Sequence, residues 1–362
     1  MSLTRPVFAA RPATVDDLEE VADLLHHIFG ERQEVTRLRW KFGGVGGKPI
    51  GSVVLTNQRR IVGFLGHIPI RVNASGHEFL ACQGTDVGIL EEHRRLDAYM
   101  TLLHACIIEL EDARVALSYG TANADAEFTL STLLGQKTVA AIPLLIRPFS
   151  GAFRPSPGRA PFPFAPLLAA CLRGMDRSTA RKPASVQGDL RVARVDRFDN
   201  RFDLFWLRIR NDYPNMIVRD AAYLNWRYVD APGNRYERIV IENKSSGMIE
   251  GLAVLGLSLW KDRVRGRICE LVTPRRGNRH AAHTLISTSL KWMRAQNVDL
   301  TDIWMLPHAH LRFALRQHGF IPRQAGCGGL QMSLLAAGSD LNLGGWDRPD
   351  NWFLSLGDSD TV

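Results

Sequence analysis

Two basic turns hold the residues of this 362-residue chain best suited to grip an anion. Arg94 and Arg95 follow the low-charge stretch Phe79–Ile89 and precede a helical pattern that starts at Leu96. Arg275, Arg276 and Arg279 follow Ile268–Val272 and precede a second helical pattern from Ala281. Each stretch reads as strand, basic turn, helix. The first N–H groups of a helix have no partner within it and the helix dipole is positive there, so cations at that point complete a phosphate or carboxylate site. The other reactive residue types form no constellation. Cys82, Cys106, Cys171, Cys269 and Cys327 are odd in number and widely spaced. With no Cys-x-x-Cys pair and no nucleophile motif, they predict a reducing compartment without disulfides or structural zinc. His26-His27 lies beside an apolar helix face. His308 and His310, two apart on a loop, lack further ligands, so no metal is expected.

The elements that must position these turns follow from periodicity. Val21, Leu24, Leu25, Ile28 and Phe29 recur at helical spacing after Thr14, a good N-cap. Ser52–Leu55, Arg60–Ile70 and Arg71–Cys82 read as an antiparallel meander. A helix over Leu96–Glu111 carries Leu96, Tyr99, Met100, Leu102, Leu103 and Ile107 on its apolar side. Strand Val115–Tyr119, helix Ala126–Leu134 and a last strand Thr138–Arg147 complete this half. In the second half, helix Arg201–Asn211, strands Tyr236–Ile241 and Met248–Trp260, helix Ala281–Gln296 and strand Leu300–Met305 follow in similar order.

That order is a long-period repeat. Leu38-Arg39-Trp40-Lys41-Phe42 echoes Leu224-Asn225-Trp226-Arg227-Tyr228. Ile61-Val62-Gly63-Phe64 echoes Ile249-Glu250-Gly251-Leu252. Asp86 falls opposite Glu270, and Leu134-Gly135 opposite His318-Gly319. Four landmarks in one order, at nearly constant separation, predict two copies of one α/β unit rather than a solenoid of short repeats. The expected fold class is α/β (α+β): two tandem domains, each a mixed, mostly antiparallel central sheet flanked by helices.

Each copy resembles a GNAT-type (GCN5-related) N-acyltransferase domain. The first carries Gly84-Thr85-Asp86-Val87 on the strand, His93-Arg94-Arg95 at the turn, Ser118-Tyr119-Gly120-Thr121-Ala122-Asn123 on the next strand, and Leu134-Gly135. The second carries Cys269-Glu270-Leu271-Val272-Thr273-Pro274, Arg275-Arg276-Gly277, Asp302–Pro307 and His318-Gly319-Phe320. The resemblance implies transfer of an acyl group from a CoA thioester to a primary amine, without a covalent intermediate or a metal. A carboxylate on the strand before the turn serves as general base in such domains, which places Asp86 and Glu270 in that role, with Tyr119 or His93 as acid or relay. The co-substrate, acyl-CoA or acetyl-CoA, would meet Val87, Gly88, Ile89, Arg94, Arg95 and Asn123 in one copy, and Arg275, Arg276 and Arg279 in the other. Both copies depart from the family at the turn, where Gly-x-Gly is replaced by Leu96-Asp97-Ala98-Tyr99 and by Asn278–Ala282. Small residues there let backbone N–H groups approach phosphate. Either one copy binds CoA through an atypical turn, or neither does and the fold serves as a binding module. Charge favours the second copy, and the fuller motif favours the first, which is the expected site.

Apolar residues at 45% and charged residues at 23% predict a soluble globular chain, and its length predicts two domains. A net charge of +8 favours anionic partners. Scattered arginines without a helix-turn-helix or zinc pattern argue against nucleic acid. No signal peptide or membrane span is visible, so cytoplasm is expected. The segment 149–188 is broken by prolines, yet holds the apolar run Phe162–Leu172 flanked by arginines. It reads as an interdomain strap, as a wall for a long acyl chain, or as a contact with an anionic membrane at the inner face. The domain reading is 1–148, linker 149–188, 189–336, and a tail 337–362 folded back on the body. For the acceptor two classes stand: a lipid (sphingoid-like) amine taking a long acyl chain, or an amino sugar or small amine taking acetyl in envelope polysaccharide synthesis.

Overall fold

Strand β1 (Phe8–Pro12) turns into helix α1 (Leu18–Phe29) through a loop tied by one carboxylate. Asp17 accepts from the Thr14 backbone N–H at 2.7 Å and from the Arg11 guanidinium at 2.6 and 2.7 Å. Thr14 thus caps the single 3₁₀ turn Val15–Asp17 ahead of α1 rather than α1 itself. The Arg11 hydrogen bonds hold the Asp17 carboxyl down to about 2. A depressed folded-state value stabilises above the unfolded value near 4 and is lost as pH falls through about 2. Asp17→Asn is therefore expected to lower stability by about 1 kcal/mol at pH 7, after allowance for the half-exposed Arg11. Urea melts of both proteins should converge toward pH 2.

The computed structural model describes residues 8–122, 136–149, 189–233, 235–260, 263–277, 279–306, 308–323, 329–335 and 345–360, with a few positions between 167 and 174. These fall into two compact units: residues up to 139 with 230–233 and 330–347, and the remainder. The expected helix Ala126–Leu134 and nearly all of the strap 149–188 lie outside the described residues.

In the first unit the chain continues through α2 (Val35–Gly43), β2 (Val53–Asn57), β3 (Arg60–Ala74), β4 (His77–Ile89), α3 (Leu96–Asp112), β5 (Leu117–Ala122) and β6 (Lys137–Ala141). Sheet order is β1-β2-β3-β4-β5-β15-β6, where β15 (Gly329–Leu334) comes from late in the sequence. Pairing is antiparallel from β1 to β4 and parallel between β4 and β5. The core gathers Leu25, Leu38, Phe42, Phe64, Leu102 and their neighbours from all three helices and the sheet. The buried face of α3 is Ala98, Leu102, Leu103, Cys106 and Leu110. Leu96 and Met100, expected on that face, are exposed. Spacings of three and four from Cys106 select the face that meets the sheet; Leu96 and Met100 lie off that stripe.

The second unit contains β7 (Leu144–Pro148), β8 (Leu190–Arg194), α4 (Asn200–Ile209), β9 (Asn215–Ile217), α5 (Ala221–Tyr228), β10 (Glu237–Asn243), β11 (Ile249–Trp260), β12 (Arg263–Val272), α6 (Arg279–Ala295), β13 (Leu300–Trp304), α7 (Ala309–Gln317), β14 (Ile321–Pro322) and β16 (Trp352–Phe353). Sheet order is β14-β7-β13-β12-β11-β10-β8, with β12 and β13 parallel, and β16 pairs with β9. The expected single strand Thr138–Arg147 is thus two strands in different sheets, β6 and β7. Pro143 lies in the break, and a proline cannot donate to a ladder. The domain limits differ from 148 and 336 for the same reason: β7 serves the second sheet and β15 the first. Among the described residues no helix is long and apolar enough to cross a membrane.

Candidate active site

The first unit opens where β4 and β5 part. Parallel pairing runs from Ala81↔Leu117 to Gln83↔Tyr119 and ends there. Just beyond, β4 carries a β-bulge: Gly66↔Thr85 is followed by Phe64↔Gly88, so Asp86 and Val87 both face Leu65 of β3. Asp86 lies in the left-handed region at φ 52°, a conformation that costs a non-glycine residue about 1 kcal/mol or more unless its surroundings enforce it. They do. Lys41 of α2, 7% exposed, reaches the Asp86 carboxylate with Nζ–Oδ2 at 2.7 Å and also donates to Thr85 Oγ1 at 3.3 Å. Oδ1 accepts from the Thr85 hydroxyl at 3.4 Å. Lys41 is the site residue that sequence reading missed. Its landmark tripeptide Trp40-Lys41-Phe42 was visible, but nothing in the one-dimensional pattern ties α2 to a bulge more than forty residues later.

Below the split lies a cavity of about 180 Å³. Leu103, Cys106, Ile107 and Leu110 of α3 wall one side; Leu65, His67, Gly84 and Tyr119 of the sheet wall the other. Tyr119 is therefore at the opening, and Val87 also lines it. Gly88 instead turns to α1, where a Cβ would come 2.7 Å from Ile28 Cδ1, and the Ile89 side chain is buried in the core. At the start of α3, Arg94 Nε donates to the Ile89 carbonyl at 2.9 Å, while Arg95 pairs with Asp97 at 2.9 Å. Asp97 also accepts from the Ala98 N–H at 3.1 Å. Asn123 lies outside the described residues.

The second unit has the corresponding split, filled by the chain itself. Pairing of β12 with β13 ends at Ile268↔Ile303. Beyond that point Met305 bridges Ser355, and Leu306 N–H donates to the Leu354 carbonyl at 3.3 Å. Glu270, the counterpart of Asp86, is 0% exposed. It accepts from Tyr228 Oη at 2.9 Å, Arg219 Nε at 3.2 Å and Ser355 Oγ at 3.1 Å. Arg219 also holds Asp358 at 2.6 Å. Arg227, aligned with Lys41 by the sequence landmarks, donates to the carbonyls of Gly357 (3.0 Å) and Ser359. The tail has slid between the two residues that touch directly in the first unit. Gly357 is required there: a Cβ would fall 1.8 Å from Tyr228 Oη and 2.9 Å from Glu270 Oε1. Burial pushes the Glu270 carboxyl upward while Arg219 pulls it down. With both oxygens engaged in a sealed network, Glu270 does not face an opening, contrary to the catalytic expectation for it.

The second basic turn is occupied too. The Arg275 backbone N–H donates to Asp212 Oδ2 at 2.7 Å, and its side chain to the Asp212 carbonyl at 3.2 Å. Arg276 is exposed, and Arg279 opens α6. His308 is stacked on Phe353 at 5.0 Å, and burial lowers its pKa to about 3. His93 packs edge-on against Phe8. Burial pushes the Cys82 and Cys269 thiols up to about 12, so neither is a ready nucleophile. Among the described residues no cluster of three or more His, Cys, Asp or Glu is arranged to hold a metal.

A parallel strand pair that splays beside a bulge, over a helix that starts at a basic turn, is the architecture of GNAT-type domains. Residues 9–131 match the family model for an acetyltransferase (GNAT) domain. Similar solved structures cover nearly the whole chain. A probable N-acyltransferase from Enterococcus faecalis has a TM-score of 0.63 at 10% identity over 91% of this chain and 73% of its own. An N-myristoyltransferase from Saccharomyces cerevisiae with bound myristoyl-CoA has a TM-score of 0.60 at 15% identity, over 92% and 81%. A GCN5-related N-acetyltransferase from Kribbella flavida has a TM-score of 0.62 at 12% identity, over 93% and 73%. At such identities the likeness is one of fold. No curated protein sequence matches the chain.

Proposed function

We propose that the protein is an acyl-CoA-dependent N-acyltransferase whose working half is the first unit, with an acyl chain longer than acetyl lodged beneath the split. The observation that carries this reading is the contrast between the two splits: the first opens onto a largely apolar cavity, and the second is closed by Leu354–Ser359. In this reading the thioester carbonyl lies against the backbone of the bulge at Asp86–Val87, and the diphosphate meets Arg94, Arg95 and the start of α3. Asp86 Oδ1 takes the proton of the incoming ammonium or tetrahedral intermediate, while Lys41 holds the carboxylate in place. Tyr119 sits beside the same opening, where its hydroxyl can protonate the departing thiolate. An amine acceptor of lipid character would suit such a donor, and co-flotation with anionic vesicles separates it from an amino sugar.

Calorimetry tests the donor site. One site per chain is expected, with octanoyl-CoA binding more than tenfold tighter than acetyl-CoA, since each buried methylene contributes about 0.8 kcal/mol. Two sites per chain, or no heat with either compound, would sink the reading.

A further inference from the structure

One polar atom in the cavity has no partner suited to it. His67 of β3 is 4% exposed, and its ring is oriented by Nδ1, 2.8 Å from the Gly51 carbonyl. A carbonyl only accepts, so Nδ1 carries the proton and Nε2 is a bare acceptor. Among the described residues Nε2 meets the Cys106 thiol, at 4.0 Å, a weak donor at the outer limit of contact that is also 3.9 Å from Nδ1. Burial lowers the His67 pKa to about 4, which keeps the ring neutral at physiological pH. The space before this nitrogen is kept free by Gly84 at the mouth of the split, where a Cβ would lie 3.6 Å from Nε2. Around it the cavity wall includes Leu65, Leu103, Ile107 and Leu110, with Ser118, Tyr119 and Gln136 as its polar members. A buried acceptor left unpaired in apolar surroundings destabilises whatever fills the space with carbon alone.

We propose that the acyl donor of this enzyme bears a hydroxyl group on its chain, which donates to His67 Nε2, so that His67 and Gly84 set its specificity. This deepens the acyl-CoA reading above and rests on it. The thioester end is placed by the bulge at Asp86–Val87. Gly84 lies two to three residues earlier on the same strand, roughly 7–10 Å away at strand spacing. The hydroxyl therefore sits along the chain rather than next to the carbonyl. An unsubstituted chain of the same length would bury Nε2 without a donor, and a site built around a hydrogen bond discriminates strongly against the analogue lacking it.

The test is calorimetry and kcat/KM with octanoyl-CoA and with its analogues hydroxylated next to the thioester, mid-chain and at the terminal carbon. For the unaltered protein a mid-chain or terminal hydroxyl is expected to raise kcat/KM at least tenfold over octanoyl-CoA. In His67→Leu that preference should fall below twofold. Gly84→Ala keeps His67 and makes only an ordinary contact with it, yet should erode the same preference by filling the space in front of Nε2. Octanoyl-CoA bound and turned over with no preference for any hydroxylated chain, or a preference that survives His67→Leu, overturns the inference and leaves the acyl-CoA reading intact. No binding of any thioester overturns both.

Discussion

Replacing Arg219 by methionine is expected to cost the protein about 3–5 kcal/mol of unfolding free energy. Arg219 is 1% exposed and is the cation that joins Glu270 to Asp358, both of them buried. Its Nη1 also donates to the Ile217 carbonyl at 2.8 Å. Removing the guanidinium leaves two carboxylates without their shared countercharge in a site closed to water, and each must either be desolvated unpaired or take up a proton. Denaturant midpoints measured against pH check this. The loss should shrink in acid, where Glu270, whose carboxyl burial pushes upward, takes up a proton, and a second substitution, Glu270→Gln, should recover part of it. A variant within 1 kcal/mol of the unaltered protein would mean that the tail does not occupy the second split. The same variant reports on function, because loosening Leu354–Ser359 should leave acyl-CoA binding at one site per chain; Asp212 still occupies the second basic turn.

The other large effect is catalytic. Asp86→Asn is expected to lower kcat/KM by about 10²–10⁴, the range for loss of a positioned general base, with acyl-CoA affinity changed by less than twofold. Asparagine retains an acceptor for Lys41 and is among the residues that tolerate positive φ, so the bulge survives the substitution. An equal fall in binding and turnover would assign Asp86 to shaping the bulge alone. Lys41→Met tests the positioning contribution of the ion pair: it should lower kcat while acyl-CoA affinity changes by less than twofold, and Lys41→Arg should restore part of the loss.

Much of this was legible in one dimension. The landmarks Trp40 and Trp226 lie on the helices Val35–Gly43 and Ala221–Tyr228, and Asp86 and Glu270 on the strands His77–Ile89 and Arg263–Val272. The strand–turn–helix units around Arg94-Arg95 and Arg275-Arg276 appeared as β4–α3 and β12–α6, since local propensity and periodicity agree there. Other features were not readable. Thr138–Arg147 looked like one strand until Pro143 and the choice of neighbours divided it between two sheets, and strand partners are set by contacts at long sequence separation. The apolar face of α3 was misplaced by a fraction of a turn because Leu96 and Met100 satisfy helical spacing as well as Ala98 and Leu102 do.

The sequence alone determined the type of fold and the positions of the carboxylates and basic turns, all of which are local or periodic signals. Only the tertiary structure decided that the two strand splits are not equivalent. Asp86 meets Lys41 beside an open split, whereas Glu270 is closed in by a tail some eighty-five residues downstream. Periodicity carries no information on which distant segment fills a gap in a sheet, because that choice depends on the shape, charge and hydrogen-bonding capacity of the assembled site.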